Sequence, residues 1–507
     1  MLALVLLGLV LRARGFLFDR YGLWLDEASW AIMLMRDPLE TLMLRPIGFM
    51  ALSKLFAVVF GPWEVVLRSL AWVAGVGVVL LAVPLARRLF RAPAAQLLFV
   101  AIVALHPAAI DLTKEFKPYE CSLFGHVALL YLTLRYLESQ RAADLVLGLV
   151  AAFVTNLFAQ DMVMAYPGVF LVLGADVLRH RRERVPWVVA GAGAVLLLLF
   201  AQYWFLWRNM DAGESAYWGN KYGVFYTPSS RQSFAGWWVE RYVDLTQFPG
   251  LRHRYWEAPW VSASQYTLLR SVDDFIWLAV HVVGCARLVM SRRYAVLILL
   301  VMPIVTTSVM NALGHWPFGV FRTNLFMVGY MAAIAGMAVE TPRAVSARWL
   351  ALVPAVVLVV LPLVLFDRWW NARKRALAYD SEMPRVLEQL TTERPPLRGR
   401  VNLVLSRRAC EPYEYYATVH PATSRRYNKE LKRTYSVHCF PLQEKLAPGI
   451  VALTPEHDHA WLLTDMRAPE IKELRASIPG VVALSRFHAY PMKLLELVPA
   501  QNVPPHP

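Results

Sequence analysis

The sequence predicts a mainly α, polytopic membrane protein that ends in a small extracytoplasmic α/β domain. Three observations point there. Of 507 residues, 57% are hydrophobic and only 18% charged, against roughly 45–50% and about 25% in soluble domains. Apolar runs long enough to cross a ~30 Å hydrocarbon core as helices recur as far as residue 366. From Asp367 onward those runs stop, and helix-like and strand-like segments alternate.

About eleven spans are expected, near 1–19, 65–86, 93–111, 118–137, 143–160, 162–178, 186–207, 271–290, 294–311, 319–339 and 346–366. The first is unusual: Met1 to Val10 is clean, but Arg12 and Arg14 follow. A charge at that depth is costly unless paired or snorkelling. A cleaved signal peptide fits poorly, because the basic residues follow the apolar run and no small-residue cleavage site is evident. The segment reads as a genuine helix packed against protein.

Orientation follows from arginine. Clusters at Arg87, Arg88 and Arg91, at Arg135 and Arg141, at Arg179, Arg181, Arg182 and Arg184, at Arg287, Arg292 and Arg293, and at Arg343 and Arg348 occupy every second loop. Those loops face the cytoplasm, with the N-terminus. The alternate loops, 20–64, 112–117, 208–270 and 312–318, then lie outside with the tail. Within the first of them, "RPIGFMALSKLFAVVFG" (45–61) reads as a helix in the interface, since a crossing there would put the Arg87 cluster outside.

The expected domains are a membrane domain, 1–366, and an extracytoplasmic α/β domain, 367–507. In the latter, "DSEMPRVLEQLTTE" reads as a helix and "RVNLVLS", "GIVALTP", "HAWLLTD" and "GVVALSRF" as strands, with "AQNVPPHP" a frayed end. The loop at 208–270, with "YWGNKYGVFYTP" and "HRYWEAPW", is aromatic enough for interface anchoring, and stacking on sugar is its sharper reading. Cys410 and Cys439 share the tail, where an oxidising compartment permits a disulfide.

Several classes fall away. The net charge of +15 is split between loops and tail, so no single face is laid out for nucleic acid. Cytoplasmic loops near anionic lipid account for part of it, and "SRRYNKELKR" (424–433) reads as a solvated face. No glycine-rich nucleotide loop appears, which disfavours a nucleotide-sugar donor or an ATP-driven pump. No Cys/His spacing suggests zinc; His457, Asp458 and His459 in "PEHDHAW" read as a surface turn.

The chemistry starts at "GLWLDEASWAI" (22–32), where Asp26 and Glu27 stand directly behind the first apolar segment. Arg45 follows in the same exported loop. A second exported loop reads "DLTKEFKPYE", with Lys114, Glu115 and Lys117 at the membrane surface. A third, "GHWPFGVFRTN", carries His315 in the loop and Arg322 just inside the next span, where an arginine needs a partner. Acids in one exported loop and cations in three, at one face, suit an anionic lipid headgroup and a reacting hydroxyl. Asn156 and Asp161 read as helix-capping or internally satisfied.

"LWLDEA", "RPIGFM…FG…LRSL", "FKPY" and "HWPFGVFR" together resemble the GT-C superfamily of polytopic glycosyltransferases. Within it they are similar to the family-39-like bacterial group related to protein O-mannosyltransferases and to the aminoarabinose transferase of lipid A. The likeness runs over about residues 1–340, in order and spacing. It implies a GT-C fold and an inverting sugar transfer from a polyprenyl-phosphate donor to an extracytoplasmic acceptor hydroxyl, at the bacterial inner membrane. It implies Asp26 as the general base, Glu27 as support for substrate or metal, and Arg322 as a contact of the donor phosphate. Arg45, before Pro46, and Lys117, before "PY", depart from the family's usual residues but keep the positive charge; His315 joins that phosphate-binding set and Glu115 is a nearby acid. A divalent cation, Mg²⁺ or Mn²⁺, has Asp26, Glu27 and Glu115 as candidate oxygen ligands, although direct neutralisation by Arg and Lys is sufficient.

Two other classes compete. A transporter or flippase of lipid-linked sugars should show repeats and midplane sites, whereas the ionisable residues here cluster at the exported surface. A non-catalytic scaffold binding cell-wall polymer would work without Asp26.

Overall fold

The computed structural model describes residues 1–18, 22–23, 25–37, 45–205, 225–226, 233–246, 263–340, 383–392, 401–440, 460–464, 481–489 and 492–499. The chain forms two compact units. The first takes residues 1–18, 43–51 and 68–370, and the second 19–42, 52–67 and 371–507. The second unit therefore joins most of the expected first exported loop to the C-terminal segment.

In chain order the helices are α1 (Leu2–Ala13), α2 (Leu25–Arg36), α3 (Ile47–Phe60), α4 (Glu64–Leu89), α5 (Pro93–Leu105), α6 (Pro107–Leu112) and α7 (Tyr119–Ser139). There follow α8 (Ala142–Phe158), α9 (Tyr166–His180), α10 (Val185–Phe205), α11 (Phe234–Thr246), α12 (Ala263–Met290), α13 (Tyr294–Ala312) and α14 (Met327–Val339). The C-terminal segment adds α15 (Met383–Thr392), α16 (Arg407–Glu414) and α17 (Pro421–Thr434), with strands β1 (Val401–Ser406), β2 (Tyr435–Phe440), β3 (Ala460–Thr464), β4 (Val481–Ala489) and β5 (Met492–Pro499).

The protein is mainly helical and multi-pass. Among the described residues, Glu64–Leu89, Arg182–Trp204 and Tyr294–Ala312 are long and apolar enough to cross a bilayer. Helices α1, α3, α5, α8 and α14 are apolar but shorter. The expected span at 346–366 lies outside the described residues, as do the strand at "GIVALTP", most of the 208–270 loop, the "PEHDH" part of its stretch and the "AQNVPPHP" end.

Two expected spans are interrupted. The run at 93–111 divides into α5 and α6, because Pro107 has no N–H to give the carbonyl of Val103 and the chain leaves the helix at His106. Arg12 repairs that break. Its guanidinium donates to the carbonyls of Ala104 (2.5 Å), Val103 (3.4 Å) and Gly8 (3.3 Å), and it is completely buried. Gly8 makes this approach possible, since a Cβ there would stand 2.9 Å from the Ala104 carbonyl oxygen. The arginine in the first helix thus satisfies backbone that would otherwise be orphaned in an apolar core. The run at 319–339 begins with a 3-10 turn, Phe321–Asn324, and only Met327–Val339 is α-helical.

α14 is the centre of the first unit. Nearly every one of its residues is buried, which fits a helix apolar on all sides. It packs on α5 and α12. Gly284 of α12 is the tightest point, where a Cβ would meet the Ile334 carbonyl oxygen at 2.1 Å.

In the second unit the five strands form one sheet in the order β2-β1-β3-β5-β4. β1 runs parallel to β2 and β3, while β5 is antiparallel to β3 and β4. All six β1 residues are buried, as a central strand covered on both faces requires. α15 buries Met383, Val386, Leu387 and Leu390, spaced for one helical face. Cys410 and Cys439 are free thiols. Cys410 Sγ hydrogen-bonds the carbonyl of Leu405 (3.7 Å), the β1 residue in register with Cys439. A hydrogen bond with the Cys439 thiol, together with burial, pushes the Cys410 thiol up.

Candidate active site

The acidic pair lies in the second unit, in the first turn of α2, where negative charge complements the positive end of the helix dipole. Glu27, Trp30, Ala31 and Leu34 are all buried and share one face by their spacing. Asp26 lies about 100° round the helix from Glu27 and is only partly buried. Glu27 is thereby enclosed, and Asp26 is the carboxylate with access to solvent.

α2 is held at both ends by the segment after α16. The backbone N–H of Leu23 donates to the Tyr416 hydroxyl (2.9 Å), and that hydroxyl donates to Glu64 Oε1 (2.8 Å). The other Glu64 oxygen is 3.3 Å from His420 Nε2. His420 Nδ1 accepts the Thr423 N–H (3.2 Å), capping α17, which leaves the ring proton on Nε2, facing Glu64. Burial first, and the Glu64 carboxylate second, push the Tyr416 phenol well above its ordinary value, so it stays protonated and can donate. At the far end Arg36 bonds Glu414 and Thr418. The connecting residues Tyr415–Val419 form a single π-helical turn, closed by His420 N–H on the Tyr415 carbonyl at 2.8 Å.

The cations expected to bind phosphate lie in the first unit. Arg45, partly buried, precedes α3. Gly48 of that helix packs against Leu157 and Phe158, and Phe49 stacks on Phe116 with ring centroids 5.6 Å apart. This stack brings the start of α3 beside Lys114, Glu115 and Lys117. Those three are 6%, 7% and 4% exposed.

Arg322 precedes the α-helical part of its expected span. It sits in the 3-10 turn ahead of α14, partly buried. Side-chain amides hold that turn: Asn324 Nδ2 donates to the carbonyls of Pro317 and Val320 (both 2.7 Å), and Asn311 Nδ2 donates to that of Trp316 (2.9 Å). Gly319 takes a φ of +88°, and Phe318 packs on Trp237 and Trp238 of α11. His315 is exposed at the start of this segment.

Asn156 and Asp161 are buried and only half satisfied, since Asn156 Oδ1 and Asp161 Oδ1 have no hydrogen-bond partner. Asn156 donates to Gln202 (3.0 Å), and Asp161 accepts from Ser122 and lies 3.9 Å from His126. Among the described residues no three His, Cys, Asp or Glu side chains group in a way that could hold a metal ion. Sequence reasoning missed Tyr416, Glu64 and His420; the run "YEYY" (413–416), three tyrosines in an otherwise polar stretch, was their only signal.

Residues 44–205 match the family described as dolichyl-phosphate-mannose-protein mannosyltransferase. The crystal structure of ArnT from Cupriavidus metallidurans in the apo state superposes with a TM-score of 0.54 at 12% identity, covering 100% of this chain and 99% of that one. The structure of the same protein bound to undecaprenyl phosphate gives 0.52 at 12% identity, over 98% and 97%. No curated protein matches the sequence significantly. The chain thus has the fold of ArnT, and residues 44–205 carry the pattern of the mannosyltransferase family.

Proposed function

We propose that the protein transfers a sugar, with inversion, from a polyprenyl-phosphate carrier to an acceptor hydroxyl at the outer face of a bacterial inner membrane. One observation carries this reading: two adjacent acids open a clamped helix, Glu27 enclosed and Asp26 accessible, in a chain with the ArnT fold. The solved neighbour that holds undecaprenyl phosphate supports a donor of that chemistry.

The bond changes balance without a further reactant. The acceptor oxygen attacks the anomeric carbon as its proton passes to the Asp26 carboxylate, and the bond from that carbon to the phosphate oxygen breaks. The leaving group is a phosphate monoester whose second pKa is near 6, so it departs without an acid where cations hold its charge. Arg45, Lys117, Arg322 and His315 are the residues proposed to do so, arginine through its planar fork of donors, with Glu115 as a supporting acid. Glu27 supports the placement of substrate or metal. A divalent ion on the acids is the other means of holding phosphate, and chelation with EDTA separates the two: transfer that survives it rests on the side chains.

Purified protein with a radiolabelled undecaprenyl-phosphate sugar and a panel of acceptors tests the assignment. Asp26→Asn should lower transfer by about 10²–10⁴-fold, as loss of a general base does, with donor binding retained. Full activity in that variant removes Asp26 as the base.

A further inference from the structure

We propose that Tyr416 is a positioning residue for the acidic pair: through Glu64 and His420 it fixes the entry to α2, which makes the C-terminal segment part of the catalytic apparatus. This rests on the reading of Asp26 as the base. Leu23, three residues before Asp26, gives its N–H to the Tyr416 oxygen, and the single phenolic proton is committed to Glu64. Both capacities of the hydroxyl are thus used, at a side chain with no exposed surface. A phenyl ring would fill the same space. What it would lose is the link between the approach to α2 and the first residue of α4.

The link is anchored rather than floating. Glu64 is fixed by His420, whose other nitrogen caps α17, and Thr423 Oγ1 donates back to the Tyr416 carbonyl (2.5 Å). Tyr415, the neighbour in the π turn, donates to the carbonyl of Pro62 (2.7 Å), two residues before Glu64. The opposite end of α2 is tied to the same short stretch through Arg36, Glu414 and Thr418. A helix of twelve residues is therefore held at both termini by residues 414–420, and its acids have little freedom to tilt. A misplacement of about 1 Å at a reacting group costs on the order of 10²-fold in rate, which is the scale on which such a clamp matters.

Hydrogen exchange and steady-state kinetics on the full-length protein test this. In Tyr416→Phe the Leu23 amide should exchange at least about tenfold faster, while amides of β1 and β2 keep their protection and show the unit folded. Turnover at saturating donor should fall by roughly ten- to a hundredfold, with the donor KM unchanged. Glu64→Gln keeps an acceptor oxygen for the phenol and should retain most of the turnover. Glu64→Leu should match Tyr416→Phe, and the double variant Tyr416→Phe/Glu64→Leu should be no worse than either. An unchanged Leu23 exchange rate, or faster exchange with undiminished turnover, overturns the proposal. Absence of transfer by the wild type would instead overturn the proposed activity, and the exchange result alone would then decide the clamp.

Discussion

Replacing Arg12 with methionine tests how the first helix is paid for in the bundle. Methionine keeps roughly the stem length and removes the guanidinium. The carbonyls of Ala104 and Val103 then lose their donor at the point where Pro107 supplies none, at about 1–3 kcal/mol each. Glu120, completely buried, loses a nearby positive charge that favours its ionised form. Removing a guanidinium from the interior relieves part of this, because burying an ion costs several kcal/mol. The net expectation is the cost of the orphaned carbonyls less that relief, about 1–3 kcal/mol. Unfolding of the purified protein in detergent, titrated with SDS and followed by tryptophan fluorescence, reads it directly. A single variant within about 0.5 kcal/mol of wild type would refute the reasoning, for it would mean the carbonyls at the helix break find other donors.

Three further outcomes are expected. Gly284→Val should destabilise the first unit by roughly 1–3 kcal/mol in the same titration, because its Cβ would collide with the Ile334 backbone, whereas Gly174→Ala, with nothing within 4 Å, should not. Asn324→Leu strips the carbonyls of Pro317 and Val320 of their donor, so the turn carrying Arg322 loosens and the donor KM should rise about tenfold; an unchanged KM would separate that turn from donor binding. The phenols of Tyr413 and Tyr416 are raised above their ordinary value by burial, while those of the unfolded chain titrate near 10. Above about pH 10 the unfolded state releases these protons and the folded state keeps them, so stability should fall by up to about 2.7 kcal/mol per pH unit, and a flat profile from pH 9 to 11 would contradict the burial argument.

Much of this was legible in the chain. Apolar runs marked the helices because lipid and core both demand continuous apolar surface, and Met383, Val386, Leu387 and Leu390 betrayed α15 by period alone. The breaks were harder to see. Pro107 signals an interruption, but the guanidinium that makes it tolerable comes from residue 12, and no local pattern joins the two. β2 was hidden because "YSVHCF" is half exposed and mixed in character, and β5 because its pairing with β3 and β4, rather than its own sequence, defines it. The acids drew notice because carboxylates behind a greasy helix are conspicuous. Tyr416, Glu64 and His420 were not, since each is an ordinary residue until folding sets it beside the others. That Lys114, Glu115 and Lys117 are buried was not legible either, because charge alone gives no sign of the protein packed around it.

The bond between Leu23 and Tyr416 spans 393 positions, and that separation has a bearing on biogenesis. Ribosomes add about 5–20 residues per second, so the amide waits roughly 20–80 s for the hydroxyl that receives it. Throughout that interval the segment bearing the acids has emerged without its final restraint. The restraint on α2 is therefore complete only once nearly all of the chain has been made, and a product truncated before Tyr416 would lack it.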